Sequence, residues 1–135
     1  MSINFPDPID GKFSEDGSKF TLDSDFEYID EEKDLYVLIP AGFQTDFNSV
    51  PRPLWGYFPP WQYLEAGLVH DWLYKAPERF TSKSFKPPLS RQQVDDIHRR
   101  ILDLKGCRWT KRQTIYAALR AGAWVTWNRY RSNSQ

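Results

Sequence analysis

Cysteine is almost missing from this chain: Cys107 is the only one in 135 residues. No intrachain disulfide framework and no paired-cysteine metal motif can be written from a single thiol. Long apolar runs are missing too. None reaches the ~18 residues of a membrane span, so no membrane-crossing segment is expected. The opening stretch MSINFPDPIDGKF lacks a basic n-region and a long apolar h-region, so it does not read as a secretory signal. These absences point to a chain made and folded in a cytoplasm. Internal repeats are absent, and no recognised nucleic-acid-reading motif surrounds the basic residues, which argues against a nucleic-acid partner. Net charge is absent as well, with 18 basic and 18 acidic side chains.

That zero hides a lopsided distribution. Residues 1–50 carry twelve acidic side chains and three basic ones, whereas 99–131 carry nine basic and one acidic, Asp103. The two ends of one domain can offset each other in space. They can also meet head to tail between molecules. Aromatics make up 16% of the chain, with six tryptophans, enough for a well-filled core or a sticky interface. The length suits one domain with one core.

The order of elements predicts an α+β fold: a small N-terminal antiparallel sheet, proline-rich loops and three C-terminal helices. Residues 1–17 read as an irregular arm and 18–40 as strands. Within that span Phe26 and Tyr28 alternate with polar neighbours, and Leu35 to Ile39 is a continuous apolar run closed by Pro40. Residues 41–62 read as a loop, since Pro51, Pro53, Pro59 and Pro60 forbid a long helix. Helices are expected over 63–75, 90–105 and 110–128. The second opens on the capping box Ser90-Arg91-Gln92-Gln93 and stops at Gly106; the third opens on Thr110-Lys111-Arg112-Gln113.

The first helix carries the chemistry. Leu64, Leu68 and Trp72 take one side, and Ala66, Val69 and Leu73 the next. A helix apolar nearly all round is normally buried. Yet it bears His70 and Asp71 side by side, and buried charge has to be paired, ligated or neutralised. On a 100° wheel, Val94, Ile97, Ile101 and Leu104 form the core stripe of the second helix. Asp95 lies at its edge, while Asp96 faces water. Asp95 is therefore the candidate partner for His70. His98, also inward, can bond Asp95, ligate a metal or simply pack. A carboxylate on one imidazole nitrogen fixes the tautomer and leaves the other nitrogen to take a proton from water. Asp71 can hold a hard cation such as calcium, with Asp46 in the loop as a further oxygen ligand. A buried polar latch with no chemistry fits the same residues.

The run Gly42-Phe43-Gln44-Thr45-Asp46-Phe47-Asn48-Ser49-Val50-Pro51-Arg52 is followed by His70-Asp71-Trp72-Leu73-Tyr74. Arg91 with Val94-Asp95 comes next, then Tyr116, Ala118, Leu119 and Arg120. Together these resemble a family of uncharacterised proteins common in tailed phages and prophages, with the approximate pattern GFxTDxASVPR, HDxLY, RxxAD. The resemblance covers about 35–127. It implies a phage gene product made in the host cytoplasm; in that context the aromatic, charge-segregated composition favours a structural or accessory part of the virion, in the tail or baseplate region. Its partners would be other virion proteins or further copies of itself. A more local likeness links HDWLY and Asp95 to phospholipases of the secreted A-two type. That likeness implies His70 as base, Asp71 as calcium ligand, Asp95 as the group orienting His70 and Tyr74 as its hydrogen-bonding support. The substrate implied is an ester or lipid of the host envelope. No glycine-rich calcium loop precedes the helix, since 51–62 reads PRPLWGYFPPWQ. The 42–52 loop is expected to fold on the His70 helix with Arg52 near Asp71. Trp55, Tyr57 and Trp61 are the expected roof of any cleft.

Overall fold

A computed structural model describes residues 3–5, 8–47, 52–59 and 62–133. The fold is α+β, as the element order predicts. Strands β4 (Phe26–Asp30) and β5 (Leu35–Ile39) form an antiparallel hairpin, with β1 (Ile3–Asn4) on the outer edge of β4. A second antiparallel sheet runs in the order β2 (Gly11–Phe13), β3 (Phe20–Leu22), β6 (Gln44–Thr45). The alternation read for β4 is an alternation of burial, and the continuous apolar run of β5 alternates in burial too. Phe26, Tyr28, Leu35, Val37 and Ile39 point into the core, and their neighbours point away.

Two expectations about this half are corrected. The arm at 1–17 contributes β1 and β2. They are two and three residues long, too short to announce themselves by alternation, and are held by their partners β4 and β3. The 41–62 loop contains β6 and a 3-10 turn at Arg52–Gly56. The two prolines in 51–54 stop a long helix but permit one short turn.

Helix α1 (Leu64–Lys75) is the central element, packed by β5, by α2 (Arg91–Leu104) and by the C-terminal helix. Ala66, Leu68, Val69, His70, Asp71, Leu73 and Tyr74 are all buried, the consequence of apolar side chains on every side. At its start, Tyr63 takes the left-handed conformation (φ 54°) and supplies no side-chain cap. Helix α2 opens on the expected capping box: Gln93 N–H donates to Ser90 Oγ, and Ser90 N–H donates to the Gln93 side chain. It ends at Gly106, whose φ of +87° suits glycine.

The last helix is two. Helix α3 (Trp109–Gly122) and helix α4 (Trp124–Asn133) meet at Ala123. The predicted capping box at Thr110 does not form, because the chain is already helical at Trp109, and Arg108 takes the N-cap without a side-chain bond. The break lets α4 fold back on α1. There Arg131 donates to the Tyr74 and Lys75 carbonyls, at 2.6 and 3.0 Å, closing the last turn of α1. A continuous helix would carry Arg131 past those carbonyls.

Candidate functional site

The 42–47 segment lies on α1. Phe43 meets the Trp72 ring edge-on at 5.2 Å, and Phe47 packs against Gly67. Phe47 sits in the left-handed region (φ 58°), a conformation that costs an ordinary side chain about 1–2 kcal/mol. What holds it is the ring's packing and a bond from Phe47 N–H to Thr45 Oγ1, 3.1 Å. The Thr45 hydroxyl in turn donates to Asp71 Oδ2. The loop is thereby locked to the helix through Asp71. The Arg52 side chain, with residues 48–51 and Trp61, lies outside the described residues. Of the expected roof, Trp55 meets Phe47 at 6.4 Å, while Tyr57 is exposed and sits under the Lys111 ammonium.

His70 and Asp95 are brought together. The imidazole Nε2 and Asp95 Oδ1 are 2.8 Å apart. The same oxygen accepts the Tyr74 hydroxyl at 2.6 Å, and Oδ2 accepts from the Arg120 guanidinium at 3.0 Å. Arg91, one turn before Asp95, lies 3.7 Å from Oδ2 and spends its donors on the Leu119 and Arg120 carbonyls. Donating Nε2–H to Asp95 leaves Nδ1 as the second titrating atom. It faces Asp71 Oδ1 at 3.6 Å, beyond a hydrogen bond. His70 is 1% exposed, Asp71 5% and Asp95 0%.

His98 packs edge-on against His70, with ring centroids 5.0 Å apart, and edge-on to Phe58. Of the three roles open to it, packing is what the geometry displays. Asp96 is half-exposed as expected, but it accepts a bond from Tyr116 and pairs with Arg99. Asp46 is partly buried on the Tyr130 side of the cluster.

Electrostatics follows from this packing. Burial works against charge on His70, but hydrogen bonding and the fields of Asp71 and Asp95 outweigh it and hold the imidazole pKa above the ordinary value. Burial likewise opposes charge on Asp95, and the bonds from His70, Tyr74 and Arg120 overcome it, so this carboxyl stays below the usual range. His98 is pushed well below an ordinary histidine, first by burial and then by the neighbouring His70 charge. Burial and the Asp95 carboxylate raise the Tyr74 phenol. Burial, Asp71 and Asp46 push Tyr130 up to about 12. Relative to ordinary histidines, the fold thus favours the protonated form of His70 and the neutral form of His98.

Asp71 turns one oxygen to Thr45 and the other to the His70 imidazole. No three His, Cys, Asp or Glu side chains among those residues are grouped to hold a metal. Asp71 and Asp46, the two oxygen ligands expected for a hard cation, both act on the Tyr130 phenol.

Sequence reasoning missed three parts of the cluster. Arg91 had a signal, since it stands four residues before Asp95 on one helix. Arg120 had one in the terminal-helix arginine of the motif series. Thr45 was read as a turn former, and only the fold reveals its bond to Asp71.

Fold and site together define an α+β protein built around a buried carboxylate–imidazole cluster clamped by arginine. Within that class, residues 20–119 match the model of a family described as a protein of unknown function (DUF1353), and the chain belongs to that family. Neither the curated proteins nor the solved structures compared with it contain a match.

Proposed function

We propose that this is a phage-encoded structural or accessory protein of the virion, in the tail or baseplate region, and that the His70–Asp95 cluster is its internal latch. One observation carries the latch. Asp95 is fully buried and takes donors from two other helices, His70 and Tyr74 of α1 and Arg120 of α3. Such a group fixes how three helices meet. It also sits where a substrate cannot reach the imidazole without displacing its cover, since His70 is 1% exposed. The phage setting is supported by the motif series beginning at Gly42 and His70. Mass spectrometry of purified virions tests it: the chain should be present at a fixed ratio to other tail proteins. Its absence from particles, with expression in the infected cell, refutes virion association.

A second reading has one observation of its own. Asp95 orients His70 through Nε2, so that Nδ1 faces Asp71, and Tyr74 steadies the same carboxylate. A general base of an ester or lipid hydrolase needs this division of labour between the two nitrogens. The cationic imidazole is the wrong form for a base, so such activity would rise with pH through the raised His70 pKa. Envelope lipid and model esters, assayed with and without calcium, decide the matter. Turnover that is lost in His70→Gln while the fold persists would favour the hydrolase. Heat on titrating millimolar calcium would bring a metal into that reading.

A further inference from the structure

A cleft of about 490 Å³ lies along α2, a volume within the range that holds small organic ligands. Gln93, Asp96, Ile97 and Arg100 border it at one-turn spacing, so they share one face of that helix. Arg112 and Gln113, near the start of α3, form a wall. Lys33, in the β4–β5 turn, and Phe85, in the connection between α1 and α2, complete the border. Hydrogen bonds hold these segments together. Arg100 ties the turn to α2 through Asp30 and Glu32, and Asp34 of the same turn accepts from the Lys83 N–H. His70, Asp71 and Asp95 do not border the cleft.

The side chains around it have more donors to spare than acceptors. Lys33 is exposed, and no hydrogen bond or ion pair joins its ammonium to another described residue. Gln93 spends its side-chain carbonyl on the Ser90 N–H, which leaves the amide nitrogen to donate. Arg112 uses Nη1 on Asp103 and on the Cys107 carbonyl, at 3.0 and 3.1 Å, and keeps Nε and Nη2. Arg99 stacks on the Tyr116 ring at 3.9 Å and reaches Asp96 through Nη2 at 3.4 Å. Asp96 and Asp103, the acids of the border, each give one oxygen to these partners. A molecule entering here has to bring acceptors, and oxyanions are what guanidinium and ammonium groups bind best. The two arginines are already fixed by their carboxylates and by the Tyr116 ring, so little freedom is lost when a ligand binds. Half-buried Phe85 and the edge of Ile97 add apolar surface to the same cleft.

We propose that this cleft binds a small organic anion, with its oxyanion on the spare donors of Lys33, Arg99 and Arg112 and its apolar body against Phe85 and Ile97. A carboxylate and a phosphate monoester share that chemistry. The site is separate from the histidine cluster, and the proposal is independent of that cluster's role and of any place in a virion.

Proton–nitrogen NMR spectra of the full chain, titrated with phenyl phosphate, benzoate, inorganic phosphate and phenol, test it. Phenyl phosphate or benzoate should give saturable shifts at the Lys33, Phe85 and Gln113 amides and at the Arg112 Nε–H, half-complete at about 1 mM or below. Tighter binding of phenyl phosphate assigns a phosphate headgroup, and tighter binding of benzoate a carboxylate. Inorganic phosphate and phenol each carry half of the ligand and should bind at least about 10-fold more weakly. Lys33→Gln and Arg112→Gln each remove one charged donor and should weaken binding about 10-fold. Lys33→Gln breaks no bond to a described residue, so its spectrum away from the cleft should match the parent and report an intact fold. The absence of shifts at about 10 mM of both organic anions overturns the proposal. Inorganic phosphate binding as tightly as either organic anion overturns it as well, leaving an adventitious ion only. Phenol binding as tightly as the anions, or undiminished affinity in both variants, also overturns it.

Discussion

Asp95→Ala removes the acceptor on which three helices converge, and the structure sets the size of the loss. Two buried donors lose this acceptor, the Tyr74 hydroxyl and His70 Nε2–H. Each group stranded in this way costs about 1–3 kcal/mol. Arg120 is a third exposed and can turn to water, so its loss adds little. Arg91 keeps its bonds to the Leu119 and Arg120 carbonyls. The sum, about 3–5 kcal/mol, agrees with the cost of removing one partner from a buried pair. It is a large share of the ~5–15 kcal/mol that holds a domain together, and should lower the Tm by about 10–20 °C. Urea unfolding at neutral pH, followed by far-ultraviolet dichroism, measures it. Tyr74→Phe supplies the control, because it deletes one of the two stranded donors in advance. Asp95→Ala should therefore cost about 1–3 kcal/mol less on that background. A loss under about 1 kcal/mol, or strict additivity with Tyr74→Phe, would show that Asp95 is not the hub described.

Three further outcomes follow from the same contacts. The histidines should bracket a stability maximum near their ordinary pKa. His98 is depressed in the fold and would be protonated only on unfolding, so stability falls as pH drops below about 6.5. His70 is raised, so its contribution is complete below about 6.5 and is lost as pH climbs through the folded value. Denaturation across pH should show limbs of at most about 1.4 kcal/mol per unit per proton, with His98→Phe flattening the acid limb and His70→Gln the alkaline one. Arg100→Met should cost about 3–5 kcal/mol in thermal unfolding, because buried Asp30 keeps only the Tyr28 hydroxyl and the Lys33 N–H as donors among the bonds it makes with described residues. Arg131→Ala should free the α1 carbonyls it closes and cost about 1–2 kcal/mol, with amide exchange in α4 rising before that in α1.

The parts legible in the sequence were those set by local rules. Alternation gave β4, and a continuous apolar run closed by Pro40 gave β5. Ser90 with Gln93 gave the start of α2, and Gly106 gave its end. An imidazole on an all-apolar helix demanded a carboxylate, and the wheel offered Asp95. What stayed hidden depended on distant partners. Strands β1 and β2 exist because β4 and β3 have open edges to pair. The Ala123 break comes directly after Gly122, but in the sequence that glycine reads as one more small residue of the 117–123 run, and the break follows from where α4 can pack. Thr45 looked like a turn former because its Asp71 partner is 26 residues away. Charge counts exposed the asymmetry of the two ends, but not whether they neutralise each other, since that depends on which faces the helices cover.

A cluster shared among three helices has a consequence for descent. A single replacement at His70 or Asp95 leaves a buried hydrogen-bonding group without its counterpart, and the fold suffers for it. An apolar trio of similar volume would be tolerated, and buried ion networks exchanged wholesale for hydrocarbon are often no less stable. That alternative lies several simultaneous changes away, across intermediates that fold badly. A lineage that once acquired the cluster is thus held to it by stability alone, and would pass it on even after any reaction it performed had ceased to matter.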